Sequence, residues 1–437
     1  MKKILKKIII QILTLQSKMI LRKFNPYIIG VVGAVGKTST KDSVASIFEN
    51  IKDDKGDTLK YIASKKSMNS DFGVPLTIIG SDSGWDSPVA WAKIILKGIK
   101  VYLQKDYARY LILEVGADQK GDIKEMAEWL RCDIVIVTVY GEVPVHVENF
   151  KNRDELIKED EYLVRSLKEN GVLIFNTDCP DGTDMSESMD KEKISYGKNI
   201  NLNPNINDIK IRNISNDIKR KQVVSQISFK GKMQNLECSN VLGEAAIYSA
   251  LPAIIVSDVL NFDLKESILK IKNMTRTPGR MRILEGKNNS SIIDDTYNSS
   301  PVAVLNGLKV MKSIATTSRK IVVLGDMLEL GKHAKEEHYK IGQQVAKSSN
   351  ILITVGSRSK ATVEGAKESG MGEGWILECK NSKEAGEEVL NILKEGDIVY
   401  IKGSQSMRME KAVKLLVSET VDIKKELVRQ DSEWLNR

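Results

Sequence analysis

Apolar residues along the 437-residue chain fall into short runs rather than long ones. Tyr27–Val32, Tyr110–Val115, Asp133–Tyr140, Val172–Asn176, Ile321–Leu324, Ile351–Val355 and Ile398–Ile401 have the length and continuity of strands buried on both faces. Between them, Thr40–Ile51, Asp154–Leu167, Glu336–Ala346 and Ala385–Leu393 repeat apolar positions at helical spacing. Strand and helix in alternation predict parallel sheets covered by helices on both faces. Asn201–Ser239 has another texture, rich in Asn, Ile and Lys with loosely alternating apolar positions, and predicts an antiparallel excursion attached to the first sheet. The NMTRTPG stretch, Asn273–Gly279, combines a helix end with Pro278 and Gly279 and marks a boundary. Beyond it the rhythm restarts with a strand at Ser291–Asp295 and a helix from Pro301 to Ile314. The expected organisation is an N-terminal helix over 1–26, an α/β domain over 27–275 and a second α/β domain over 276–437.

The N-terminal segment needs its own reading. Leu5, Ile8, Ile9, Ile12, Leu13, Leu15, Met19 and Ile20 recur at three- and four-residue spacing, which makes an amphipathic helix. Its apolar runs are too short, and too often broken by Gln, Thr, Ser and Lys, to span a bilayer, and no small-residue cleavage site follows. Two readings stay open: docking on the domain that follows, or peripheral contact of residues 1–24 with an anionic membrane surface.

Charge sharpens the picture. The chain carries +8, but residues 1–24 hold seven basic residues and no acidic one, leaving about +1 on the remainder. A body so balanced has no chain-wide basic surface for a phosphate backbone, so nucleic acid is not an expected partner. With 41% hydrophobic residues, 437 residues exceed a single small module. Cys132, Cys179, Cys238 and Cys379 lie far apart, with neither zinc-ligand spacing nor a disulfide framework, so a reducing cytoplasm is the expected location.

The strongest chemical signal is IIGVVGAVGKTSTK, a buried strand running at once into Gly33-Ala34-Val35-Gly36-Lys37-Thr38 and then a helix. Glycines let the backbone curl so that several N–H groups aim at one phosphate, and the helix N-terminus adds a favourable dipole. Lys37 would neutralise the β and γ phosphates and the Thr38 hydroxyl would hold Mg²⁺. Glu114 interrupts the apolar strand LILEVGA, where a carboxylate is costly to bury unless a cation awaits it; metal binding and a solvent-facing strand end are the alternatives. His146, in GEVPVHVENF, is one of only three histidines and is a weak signal alone.

Taken in order from Tyr27 to Leu416, these motifs resemble those of the Mur ligases, ATP-dependent amide-forming enzymes of peptidoglycan precursor synthesis. The resemblance implies a central P-loop parallel-sheet ATPase domain followed by a Rossmann-like α/β domain. It assigns ATP binding to Gly33, Gly36, Lys37 and Thr38, and metal ligation to Thr38, Glu114 and His146. MNSDFGVPLTI matches a family stretch at Asn69, Gly73 and Pro75, with Ser70 in place of an Asn. PGRMR presents Arg280 to phosphate, and DDTYNSSP presents Asp295 and Asn298 to the nucleotide. Leu324–Gly331 and Lys402–Glu410 are similar to stretches of the D-alanyl-D-alanine-adding branch. The implied catalytic set is Lys37, Glu114, His146 and Arg280, working with ATP and Mg²⁺ on muramoyl-peptide and D-Ala-D-Ala type substrates, in a monomer.

Three departures accompany the likeness. Counting from His146, the family's carbamylated lysine falls on Asp160, which carries a carboxylate unmodified; Lys158 and Glu161 are alternatives. The family's G-x-H-N-x-x-N stretch reads Gly243-Glu244-Ala245-Ala246-Ile247-Tyr248-Ser249, without its His and Asn residues. About 26 residues precede the first strand, where the family usually places a domain that grips the UDP-sugar. A ligase of the same superfamily with a folyl, polyamino-acid or lipid-linked acceptor is one alternative, and a non-catalytic nucleotide-binding subunit another.

Overall fold

The computed structural model describes every residue except Met1, 53–55, 66–67, 85–86, 143–148, 201–206, 432–433 and 435–437. Among the described residues nine strands form the first sheet: β1 (Tyr27–Val32), β2 (Tyr61–Ala63), β3 (Tyr110–Glu114), β4 (Ile134–Val137), β5 (Val172–Asn176), β6 (Glu192–Gly197), β7 (Ile209–Asp217), β8 (Gln222–Phe229) and β9 (Lys232–Ser239). Their order is β2-β3-β1-β4-β5-β6-β7-β8-β9. Pairing is parallel from β2 through β7 and antiparallel across β7, β8 and β9, so the Asn- and Ile-rich excursion extends the sheet rather than standing apart from it.

The central strands are apolar throughout because successive side chains feed two different cores. Ile28 and Val32 of β1 pack on one face, under α1 (Lys2–Phe24), α3 (Gly73–Ile79), α4 (Pro88–Leu103), α5 (Asp122–Ala127) and α6 (Arg153–Arg165). Ile29 and Val31 pack on the other, under α2 (Lys37–Ile47), α8 (Glu244–Val259) and α9 (Leu264–Asn273), while α7 (Pro180–Glu187) adjoins β5. The N-terminal helix docks on the sheet's first layer: Leu13 and Ile20 are fully buried, Gln16 Nε2 donates to the Ile95 carbonyl at 2.8 Å, and Lys23 Nζ donates to the Gln104 carbonyl at 2.8 Å. Among the described residues no helix is long and apolar enough to cross a membrane, and all four cysteines are buried free thiols.

After α9 ends at Asn273, the second sheet begins at Arg282. It comprises β10 (Arg282–Glu285), β11 (Ser291–Asp295), β12 (Lys320–Gly325), β13 (Ile351–Val355), β14 (Ile376–Cys379) and β15 (Ile398–Lys402), in the order β10-β11-β15-β12-β13-β14. Only β10, an edge strand, runs antiparallel to its neighbour. The helix α10 (Pro301–Ser313) follows β11, with the Ser300 hydroxyl capping its N-terminus.

In the first sheet β1 lies between β3 and β4, so the connections leaving β1 and β3 diverge to opposite sides. A crevice at the carboxyl ends of the strands is the geometric result.

Candidate functional site

The crevice is built first from backbone. Gly33 and Gly36 take φ of 123° and 92°, conformations that glycine alone adopts without strain. A methyl group at Gly33 would also overlap the Thr138 hydroxyl. The turn is pinned from the far side, where the amides of Ala34 and Val35 donate to the Val139 carbonyl at 3.0 and 2.9 Å. Helix α2 then starts at Lys37 with Gly36 as a cap that has no side chain to offer. A helix N-terminus without a side-chain cap, opening on the crevice, is an arrangement suited to an anion. Lys37 Nζ folds back onto the Gly33 carbonyl.

Glu114 closes β3 and is buried, with Thr38 Oγ1 donating to one carboxylate oxygen at 2.9 Å and Asn69 Nδ2 to the other at 3.0 Å. Its own amide donates to Ser64 Oγ at 3.1 Å. Among the described residues it pairs with no Lys or Arg. A buried carboxylate beside a hydroxyl, held by neutral donors only, is a pair of hard oxygen ligands suited to a divalent cation. Asn69 is held in turn by its carbonyl, which accepts from the Gly116 amide at 2.8 Å. Ser70, the replaced Asn, accepts from the amides of Phe72 and Gly73 and starts α3.

Asp160, from α6, reaches the same turn. Its Oδ2 accepts from the Gly33 amide at 2.9 Å and from the Tyr140 hydroxyl at 2.6 Å. Burial pushes its carboxyl up to about 6, against the pull of Lys37 and the two hydrogen bonds. Of the alternatives weighed from sequence, Lys158 is exposed and Glu161 pairs with Arg165 at 2.5 Å. His146 lies outside the described residues. Among the described residues no three of His, Cys, Asp and Glu gather into a metal cluster.

The second sheet supplies the opposing wall. Arg280 lies with its guanidinium 4.1 Å from the centre of the Tyr297 ring, and its buried Nε has no hydrogen-bond partner among the described residues. Asp295 does not face the crevice: its carboxylate pairs with the fully buried Lys402 at 2.7 Å and accepts from Tyr400 OH and the Met281 amide, each at 3.2 Å. Lys402 also donates to the Asn298 carbonyl at 2.8 Å, so the Asp295–Lys402 pair shapes the turn that carries Tyr297 and Asn298. Arg429 braces that turn from behind by donating to the carbonyls of Thr296 and Tyr297, and it pairs with Glu410 at 3.0 Å. Beside it Asp294 is fully buried, with Oδ1 accepting from Thr296 and Oδ2 unpartnered among the described residues; burial pushes its carboxyl up to about 6.

The two stretches read as branch-specific meet here. Leu328 N donates to Ser404 Oγ at 2.9 Å, and Ser404 N donates to the Asp326 carbonyl at 3.1 Å. Met281, Glu329, Arg408 and Arg429 all have positive φ, a concentration of backbone strain in non-glycine residues around this wall.

The two walls enclose a cleft of about 590 Å³. Gly33, Gly36, Lys37, Thr38, Glu114, Asp160, Arg280 and Asn298 all line it; Asp295 does not. No residue of the 243–249 stretch lines it either: Tyr248 OH is turned to Asp178 at 2.6 Å and Glu244 pairs with Lys198. Tyr140, Tyr297 and Ser404–Ser406 escaped the sequence reading as site residues. The last two sit inside motifs already singled out, so motif membership was the available signal; the Tyr140–Asp160 contact had none.

A model for the Mur ligase middle domain matches residues 95–257, and one for the Mur ligase glutamate ligase domain matches 279–405. The chain belongs to the Mur ligase family. Among its relatives are the UDP-N-acetylmuramoyl-tripeptide--D-alanyl-D-alanine ligases of Bacillus subtilis and Escherichia coli. The first is 23% identical over 92% of this chain and 78% of that protein, the second 25% identical over 89% and 76%. Among solved structures, MurF from Acinetobacter baumannii superposes with a TM-score of 0.74 at 20% identity, covering 92% of this chain and 79% of that one. MurF ligase from Thermotoga maritima in complex with ADP gives 0.73 at 19% identity, covering 93% and 83%, so the fold is shared.

Proposed function

We propose that the chain is an ATP-dependent ligase that joins a D-Ala-D-Ala type dipeptide to the terminal carboxylate of a muramoyl tripeptide. The supporting observation is the cleft itself. An anion-binding turn, a buried Glu114–Thr38 pair and Asp160 face Arg280, Tyr297 and Asn298 across a space of about 590 Å³. The similarity to ligases that carry that name supports the choice of substrates. In this reading residues 27–275 and 276–437 act as two domains, with 1–26 a docked helix, and the location is cytoplasmic.

A carboxylate is a poor electrophile, so transfer of the ATP γ-phosphoryl group to it precedes attack by the incoming amine on the acyl phosphate, with phosphate as the leaving group. The turn amides and α2 N-terminus hold the phosphates in line. Lys37 and Arg280 offset charge on the transferring group, Arg280 being aimed by its stacking on Tyr297. Asn298 and Tyr297 position the nucleotide. A magnesium ion would be held by Thr38, Glu114 and Asp160, with His146 implied by family resemblance, and supplies further charge neutralisation when bound. The wall from the second sheet excludes water that would otherwise hydrolyse the acyl phosphate.

The test is phosphate release by purified protein with ATP, Mg²⁺, a UDP-muramoyl tripeptide and D-Ala-D-Ala, run beside a panel of other acceptors and amines. Release that requires both named substrates is expected. No release with that pair, but release with a folyl or other acceptor, moves the chain elsewhere in the superfamily. A folylpolyglutamate synthase structure, with a TM-score of 0.63 and 94% of its chain covered, keeps that second reading in view.

A further inference from the structure

Seven of the ten large apolar side chains left exposed among the described residues sit on two adjoining helices, α1 and α4. On α1 they are Ile8, Leu15 and Met19; on α4 they are Val89, Leu96, Ile99 and Leu103, all between 39% and 70% exposed. At about 100° per residue each set forms a single line along its helix, on the side turned away from the buried positions Leu13 and Ile20 or Ile94 and Val101. Helix α4 is thus apolar on two faces, and only one of them is used by the core.

The helices are parallel neighbours. Gln16 meets Ile95, while Lys23 meets Tyr102 and Gln104, so contacts advance in the same direction along both. These contact positions lie about a quarter-turn from each exposed line, in opposite senses on the two helices, so both apolar lines face the same way. On the outer edges of this double stripe α1 carries Lys7, Lys18 and Arg22, and α4 carries Lys93, Lys97 and Lys100. Neither helix contains an acidic residue. The described acidic residues that flank α4 in the chain, Asp82 and Asp106, are already paired with Lys65 and Lys60.

We propose that this two-helix face is a docking surface for an anionic phospholipid bilayer. The apolar lines would lie at the acyl-chain boundary and the basic edges among the headgroups. A second copy of the chain is the poorer occupant, because self-pairing of the stripe sets basic edge against basic edge. A bilayer satisfies both components at once: apolar side chains leave water and each cation meets negative surface charge. The assignment extends membrane contact from residues 1–24 to α4 and is independent of the ligase reading.

The experiment is co-sedimentation of the full chain with vesicles of phosphatidylcholine alone or with about 30% phosphatidylglycerol, in about 0.1 M salt. Wild type should partition onto the anionic vesicles about tenfold or more above the neutral ones. Leu96→Ser with Leu103→Ser, and separately Lys93→Glu with Lys100→Glu, should each lower that partition about tenfold with unchanged thermal unfolding, since all four side chains are exposed. Equal, weak partition of wild type onto both vesicles overturns the proposal. So does a wild-type dimer in light scattering that the Leu96→Ser, Leu103→Ser variant returns to monomer without any vesicle binding, which assigns the face to a second copy. Retention of full binding by both variants overturns it as well.

Discussion

Asp294 offers a quantitative test of how the second wall is held. Its side chain is fully buried in β11, Oδ1 accepts from the Thr296 amide and hydroxyl at 3.1 and 2.6 Å, and Oδ2 has no partner among the described residues. Loss of hydration is the main cause that pushes its carboxyl from 3.8 up to about 6, with the neighbouring Asp295 adding to it and the Thr296 hydrogen bonds and Arg282 opposing it. A carboxyl raised in the folded state favours folding while protonated. That contribution is fully present below about pH 4 and is lost as pH rises through about 6. Two pH units correspond to about 3 kcal/mol, with no discount for solvent since the group is buried. Asp294→Asn resembles the protonated form and keeps an acceptor for Thr296. The stability of the variant relative to wild type should therefore rise by about 2 kcal/mol between pH 4 and pH 8, most of the span between the two ionisation ranges. Any constant offset from packing the amide cancels in that comparison. Urea unfolding at the two pH values, read by hydrogen-exchange mass spectrometry of peptides covering 282–295, isolates the transition of this sheet. A variant-minus-wild-type difference that does not change with pH refutes the reasoning, because Asp294 would then hold its proton equally in both states.

Lys37→Ala should lower phosphate release by about 10²–10³-fold with little change in thermal unfolding, since the lysine contributes charge rather than packing; an activity near wild type would remove Lys37 from the chemistry. Glu114→Gln should raise the Mg²⁺ concentration for half-maximal activity by about tenfold, measured by metal titration of phosphate release, and an unchanged requirement would detach Glu114 from the metal. Gly33→Ala combines a positive φ with an overlap on Thr138 and should destabilise the protein by about 2 kcal/mol or more in urea unfolding; a neutral effect would mean that the turn relaxes.

Several features were legible in the chain because local physics determines them. Tyr27–Val32, Val172–Asn176 and Ile351–Val355 are strands over the same bounds in the structure, since a strand apolar on both faces needs no partner to be recognised. The Gly33–Thr38 turn declared itself through residue types whose backbone freedom and charge serve little else. Strands β2, β6, β10 and β14 were not foreseen: β2, β10 and β14 are short edge strands and β6, inside the first sheet, starts on charged residues, so YIA, EKISYG, RILE and ILEC acquire strand character only by pairing with a neighbour.

The sequence by itself determined the alternation of elements, the phosphate-binding turn, the conspicuous Glu114 and the amphipathic character of residues 1–24. Only the tertiary structure decided that Asp160 rather than Lys158 or Glu161 reaches the turn, that Asp295 faces Lys402 rather than the cleft, and that the apolar line of α4 lies beside that of α1. The division has a physical cause. Periodicity and turn chemistry are properties of neighbours along the chain, whereas the direction of a side chain relative to a distant wall depends on how helices and sheets pack, which no local window contains.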